Sequence, residues 1–185
     1  MESIKLADFE QYLPNQMPIS VVMEKTPSKH KWIDFSYKAI GVIAGNIVEQ
    51  DLLGVGQGNV VKKIYEQNGV ERYLYSGLIL KLFVDECESY YHNLMSPEPG
   101  CFVVAESMDD PEQMPIPYLV SLSFDEVHAY LEGDEQVYAM DIPPELYKWT
   151  EAFILTNYVA IKKTKRKLKD WKQQSQGKVT LGSHH

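Results

Sequence analysis

The stretch YLYSGLILKLFVDECESYYHNLMSPEPGCFVVAE, which runs from Tyr73 to Glu106, decides the fold class. Within Leu78–Val84 every second residue is apolar and falls on one face, which is the period of a half-buried strand. The paired tyrosines of Ser89–Leu94 predict a second strand, and the β-branched and aromatic residues of Cys101–Glu106 predict a third. The prolines and glycine of Met95–Gly100 break the chain between them. Neighbouring strands joined by short turns predict an antiparallel sheet.

An Asn-Gly pair lies just before this stretch and predicts a hairpin. Asn68-Gly69 suits a type I′ turn because both central residues need a positive φ. The strands on either side are Val60–Gln67 and Val70–Ser76, and Gly77 permits a bulge before the Leu78 strand. The expected pairs are Gln67 with Val70, Tyr65 with Arg72, and Ile64 with Tyr73.

Further strands are predicted on both sides of this region. Met17–Glu24 alternates apolar residues, which predicts a strand. Strands are also expected over Lys38–Ala44, Tyr118–Leu122 and Gln136–Met140. Trp32, in the loop between the first two strands, is expected to close one end of the core. Gly54–Asn59 superficially resembles a glycine-rich phosphate loop, but it lacks the following helix and the Lys-Ser/Thr pair, so a plain loop is expected.

Two helices are predicted near the C-terminus. Ser123 and Glu126 have the spacing of a capping box, and Pro143-Pro144 opens a longer helix to about Val159. We therefore expect an α+β fold: an antiparallel, hairpin-built sheet of about six to eight strands, with two C-terminal helices packed on or beside it. The pattern leaves open whether the sheet closes into a partial barrel.

Charge divides the chain into regions. Residues 1–161 hold 10 Lys+Arg against 25 Asp+Glu, whereas residues 162–185 hold 8 against 1, and together these give the net charge of −8. We read residues 1–16 as an arm or short helix, 17–161 as a single domain and 162–181 as a basic tail. The final GSHH resembles the remnant of an expression tag.

The sequence also predicts the compartment. The N-terminus lacks the pattern of a signal peptide, and no apolar stretch reaches the length of a membrane span. The two cysteines, Cys87 and Cys101, are too few for a disulfide framework and suit a reducing environment. We expect a cytoplasmic protein with both cysteines in structural roles and with no metal or cofactor, because no metal-ligand spacing involves them or His92 and His128.

Aromatic and basic residues are the candidates for a contact surface. Part of the central tyrosines and the basic tail with its tryptophan could meet a partner. The candidate residues are Tyr90, Tyr91, Asn93, Trp32, Lys163, Arg166, Lys167 and Trp171. The carboxylates Glu86, Glu88 and Asp109-Asp110 show no sign of desolvation, so acid–base catalysis is not expected.

Several segments follow one another in a recognisable order over about residues 17–167. They are MPISVVMEK (17–25) with Trp32, LKL (80–82) with Glu86, Tyr90, Asn93 and Leu94, Pro99 with FVV (102–104), PYLVSLSFDEVHAYLEGDEQV (117–137), Pro143, Pro144, Trp149 and Lys163–Lys167. This order resembles the proteobacterial family known as domain of unknown function 3305. Genes of this family tend to lie beside those of molybdenum-dependent formate dehydrogenases. The resemblance thus implies an accessory or maturation role.

Two functional hypotheses follow, and they differ in the partner. The first is a non-enzymatic accessory protein that binds a protein partner, namely an oxidoreductase subunit or a maturation factor of a formate dehydrogenase system. The alternative is a module that binds a small ligand or single-stranded nucleic acid with a tyrosine-bearing sheet face and the basic tail. The acidic body opposes nucleic acid, so the first hypothesis is preferred. The oligomeric state does not follow from the sequence.

Overall fold

The computed structural model describes residues 15–45 and 60–158. Residues 1–14, the Gly54–Asn59 loop and the basic tail lie outside the described residues, as does the end of the last predicted helix. The described chain forms seven strands, all paired antiparallel in two sheets, and three α-helices. The α+β class is confirmed, with two open sheets in the described residues instead of one continuous sheet.

The first sheet has the strand order β2-β1-β4-β3. Its strands are β1 (Gln16–Pro27), β2 (Phe35–Ala44), β3 (Val60–Gln67) and β4 (Val70–Lys81). The apolar alternation predicted for Met17–Glu24 is confirmed, because Met17, Ile19, Val21 and Met23 are all in the core cluster. β1 pairs with both β2 and β4 and therefore lies in the interior of the sheet.

The predicted hairpin between β3 and β4 is confirmed. Asn68 and Gly69 have φ of 54° and 78°, as a type I′ turn requires. Gln67 pairs with Val70 and Tyr65 with Arg72, but Lys63 takes the predicted place of Ile64 opposite Tyr73 because the register shifts between Lys63 and Tyr65. Gly77 has a φ of 91° at the irregularity in the β1–β4 pairing, which confirms the bulge.

The prediction of a strand over Ser89–Leu94 is wrong. A 3₁₀ turn, Val84–Glu86, leads into the helix α1, Cys87–Leu94. Cys87, Tyr90 and Leu94 are its buried residues, and their spacing of three and four is helical. Acidic residues in the first turn suit the positive end of the helix dipole. The preceding strand is shorter than predicted, since β4 ends at Lys81 and Val84 is 59% exposed.

The second sheet has the order β6-β5-β7, formed by β5 (Gly100–Glu106), β6 (Ile116–Ser121) and β7 (Gln136–Asp141). Its Cys101 and Val103 join the main core, together with Leu146, Trp149 and Phe153 of the helix α3, Pro144–Asn157. The helix α2, Phe124–Leu131, packs on the opposite face of this sheet, where the Phe102 and Phe124 rings meet. The core thus lies between the two sheets.

The predicted capping box at the start of α2 is confirmed in one half. The Ser123 hydroxyl accepts a hydrogen bond from the Glu126 backbone N–H at 3.1 Å. The Glu126 carboxylate does not reach back to the Ser123 amide; it accepts a hydrogen bond from the Ser121 hydroxyl, which itself accepts from the Ser123 N–H. Ser121 therefore joins the two halves of the box.

Candidate partner-binding surface

The loop between β1 and β2, Ser28–Asp34, is held by its own hydrogen bonds. We call this segment the Trp32 loop. The Ser28 backbone N–H donates to the Asp34 carbonyl at 2.9 Å, and the His30 N–H donates to the Ser28 hydroxyl at 3.0 Å. The Ile33 N–H donates to the His30 carbonyl at 3.4 Å. These three bonds connect residues of the loop to one another, so the turn is held from within the loop.

Trp32 points into solvent from this loop. Its side chain is 87% exposed, and the adjacent Ile33 is 39% exposed. The expectation that Trp32 closes one end of the core is therefore wrong. The Lys31 ammonium nitrogen lies 5.5 Å from the indole centroid, within the range of a cation–π contact. Tryptophan is enriched among the residues that dominate the binding energy near the centre of protein interfaces.

The base of the Trp32 loop is fastened to the acidic segment between β5 and β6. The Asp34 backbone N–H donates to Glu112 Oε1 at 3.3 Å, and the Tyr37 hydroxyl donates to the Glu112 carbonyl. The Glu112 N–H in turn donates to Asp110 Oδ1 at 2.9 Å. The pKa of Tyr37 is raised, mainly by burial, so its hydroxyl stays protonated and can donate this hydrogen bond.

Charged residues form two rows across the first sheet behind the loop. Glu24, which is nearly buried, accepts a hydrogen bond from Arg72 Nε at 2.9 Å and lies 3.7 Å from the Lys38 ammonium. In the next row Glu71 pairs with Lys63 at 2.8 Å and with Lys25 at 3.3 Å. These carboxylates all have basic partners, so the rows hold strands together and offer no free acid or base.

The three candidates on α1 occupy different environments. Tyr90 is 1% exposed, and its hydroxyl accepts a hydrogen bond from the Phe83 N–H at 3.1 Å, so it is a core residue whose side chain is not available for direct contact. Tyr91 is 40% exposed and stacks on Tyr158, with ring centroids 5.6 Å apart. Of the two tyrosines only Tyr91 belongs to the surface.

Asn93 joins the end of α1 to the second sheet. Its Nδ2 donates to the Gly100 carbonyl at 2.7 Å and to the Leu122 carbonyl at 2.8 Å. Its Oδ1 accepts from the Gly100 N–H at 2.9 Å. The amide thus makes three hydrogen bonds to the backbone, which is a structural role. Lys163, Arg166, Lys167 and Trp171 lie outside the described residues.

The cysteines lie in the interior. Cys87 is 1% exposed and Cys101 is fully buried, and neither forms a disulfide. Burial raises the pKa of both thiols, to about 12 for Cys101, so the reactive thiolate is disfavoured. Within residues 15–45 and 60–158, no group of three or more His, Cys, Asp or Glu side chains is placed to hold a metal ion.

A hydroxyl and carboxylate cluster that the sequence did not indicate links α1 to α2. The Ser123 hydroxyl donates to Glu86 Oε2 at 2.6 Å and lies 3.0 Å from the Ser89 hydroxyl. The capping-box spacing of Ser123 gave part of this arrangement. The contact with Glu86 joins residues 37 positions apart, and no local pattern predicts it.

The chain matches the family model described as "Protein of unknown function (DUF3305)" over residues 18–167, and it therefore belongs to that family. This confirms the resemblance inferred from the sequence. No curated protein and no solved structure matches the chain. Among the helices that the structure describes, none is long and apolar enough to cross a membrane.

Proposed function

We propose that this protein is a non-catalytic accessory protein that binds a partner protein through the Trp32 loop. We further propose that the partner is a subunit or maturation factor of a molybdenum-dependent formate dehydrogenase, the system with which the family resemblance associates the chain. The observation that carries the binding role is the exposure of Trp32, at 87%, on a loop fixed by internal hydrogen bonds.

The geometry supports binding because the loop is already ordered. An interface forms at lower cost when its anchor residue does not have to be immobilised on binding. The bonds from Ser28 to Asp34 and from Asp34 to Glu112 hold both ends of the loop. Burying a tryptophan in a partner also removes a large apolar area from water, which is a main source of binding free energy.

Affinity capture from the native host tests the proposal. The wild-type chain, Trp32→Ala and Leu155→Ala would be compared as baits. Leu155 is the matched control because it is 80% exposed on α3, away from the loop. We expect Trp32→Ala to weaken capture about 30-fold, corresponding to an anchor worth about 2 kcal/mol, and Leu155→Ala to leave it unchanged.

A fourth bait without residues 162–181 separates the loop from the basic tail. Equal capture by wild type and Trp32→Ala would contradict the role of the loop. A captured set without any protein of a formate dehydrogenase system would contradict the proposed partner, and it would leave the binding role of the loop standing.

A further inference from the structure

We propose that the Trp32 loop recognises an apolar slot whose rim carries carboxylates on a partner protein. This inference rests on the proposed function, because it specifies the chemistry of the surface that the same loop would contact. The proposed partner surface is that of a folded or helical protein, with an apolar centre surrounded by carboxylates.

The apolar part of the recognition comes from Trp32 and Ile33, which lie at the tip of the loop, residues 29–33. Trp32 and Ile33 are adjacent and both exposed, so a partner that buries one also covers part of the other. An indole ring next to an aliphatic side chain fills a slot lined by apolar groups better than a flat polar surface.

The acidic rim of the partner is inferred from the positive charges of the tip. Lys29 and Lys31 are both exposed and flank His30, directly before Trp32. Residues 82–161 contain 16 Asp+Glu and one Lys or Arg, Lys148, so these lysines carry the opposite charge to most ionised side chains of that half of the chain. Two cations beside an apolar anchor are complementary to carboxylates at the edge of a slot.

The surroundings of the loop favour a local acidic patch over an extended polyanion. Asp34 ends the loop and contacts Glu112, and the exposed Asp109 and Asp110 lie in the same acidic segment. A membrane surface or a nucleic acid strand would extend past the two lysines to these carboxylates. Repulsion between like charges acts over about 8 Å at physiological ionic strength. A small rim of carboxylates on the partner would contact the two lysines without reaching the carboxylates of this chain.

The two parts of the tip should have separable effects. Exposed charge pairs mainly raise the association rate and are weakened by salt, whereas a buried aromatic anchor mainly slows dissociation. The proposal therefore predicts binding that depends on salt through Lys29 and Lys31 and on apolar burial through Trp32.

Defined probes test this chemistry on the full-length protein. The probes are a 16-residue amphipathic peptide of leucine and glutamate, its glutamine and lysine versions, vesicles with 30% phosphatidylserine, and a 20-nucleotide oligothymidylate. The readout is the chemical shift of the Trp32 indole N–H and of the backbone amides of residues 29–33. We expect the glutamate peptide to bind about tenfold more tightly than the glutamine peptide, with that advantage lost at high salt.

Variants assign the effect to individual side chains. The double variant Lys29→Glu/Lys31→Glu should reverse the preference toward the lysine peptide, whereas Lys148→Glu, at an exposed site on α3, should not change it. Trp32→Ala should weaken the binding of all three peptides. Each variant would first be compared with wild type by thermal unfolding, and no loss of stability is expected at these exposed positions.

Four results would overturn the inference. Equal binding of the glutamate and glutamine peptides would contradict the proposed acidic rim on the partner. Tighter binding of the vesicles or the oligonucleotide at residues 29–33 would assign the tip to a membrane or to nucleic acid. If no probe changes the chemical shifts of residues 29–33, the tip is not a recognition element. Loss of native partner capture in Trp32→Ala but not in the double lysine variant would retain the proposed function and reject this inference alone.

Discussion

Replacement of Asn93 by alanine should destabilise the protein strongly. The side chain bonds three backbone groups, two on Gly100 at the start of β5 and one on Leu122 directly after β6: the Gly100 N–H, the Gly100 carbonyl and the Leu122 carbonyl. Each such bond contributes about 1 kcal/mol net, and the partners left behind are partly or fully removed from water. The expected loss in the free energy of unfolding is about 3 kcal/mol.

The magnitude can be measured by urea titration and by thermal unfolding followed by circular dichroism. For a chain of this size 1 kcal/mol corresponds to about 2–4 °C, so Tm should fall by about 6–12 °C. Asn157→Ala is the matched control, because among the described residues the Asn157 side chain makes one hydrogen bond, from Nδ2 to the Phe153 carbonyl at 2.9 Å. We expect that control to lose less than about 1 kcal/mol.

Asn93→Asp tests the direction of the hydrogen bonds. The aspartate keeps an acceptor for the Gly100 N–H but places its second carboxylate oxygen where Asn93 donates to two carbonyl groups. At neutral pH it should therefore be as destabilising as alanine, and its deficit relative to wild type should shrink on acidification as protonation restores one donor. A loss below 1 kcal/mol for Asn93→Ala would refute the structural role of this side chain.

Three further predictions concern the interior and the charged rows. Thr150→Val should raise the free energy of unfolding by about 1 kcal/mol, because the buried Thr150 hydroxyl has no hydrogen-bond partner within residues 15–45 and 60–158. Denaturant titration measures this change. Hydrogen bonding by the Lys63 ammonium lowers the pKa of Glu71 to about 2, so Glu71 stabilises the folded state above the ordinary carboxyl pKa and loses this effect as pH falls toward 2. Glu71→Gln should accordingly flatten the dependence of stability on pH between about pH 5 and 2, and an unchanged curve would contradict the pairing. Cys87 and Cys101 should react with a thiol reagent at pH 8 only after denaturant is added, and rapid labelling of the native protein would contradict their burial.

Local sequence signals predicted those parts of the fold that local physics determines. Asn68-Gly69 gave the hairpin turn because few other residue pairs adopt two positive φ values. Ser123 gave the start of α2 because its hydroxyl satisfies a free backbone amide. The alternation from Met17 to Glu24 gave β1 because one face of that strand is in the core.

Other features depend on contacts that are distant in sequence. Ser89–Leu94 contains two tyrosines, which favour strands locally, yet burial of Tyr90 and Leu94 on one face selects a helix. The division into two sheets follows from β1 pairing with β4 across more than 40 intervening residues, so that the Cys101 strand pairs elsewhere. No neighbouring residue signals such pairings.

The candidate surface was predicted in part. The sequence indicated Trp32 as a contact residue, yet it also favoured burial for it, because tryptophan is usually buried and nothing in SKHKWID shows which way it points. The structure separates the α1 candidates, since Tyr90 is in the core and Asn93 binds backbone. Partner binding stays a prediction for Trp32 and Tyr91, and for the tail residues Lys163, Arg166, Lys167 and Trp171.

The most direct test of the account is hydroxyl-radical footprinting of Trp32 with and without the captured partner. Trp32 should oxidise rapidly in the free protein, as its 87% exposure requires, and at least about fivefold more slowly in the complex, whereas Leu155 on α3 should oxidise at the same rate in both. Oxidation of Trp32 at an unchanged rate in a saturated complex would show that the loop is not the contact surface.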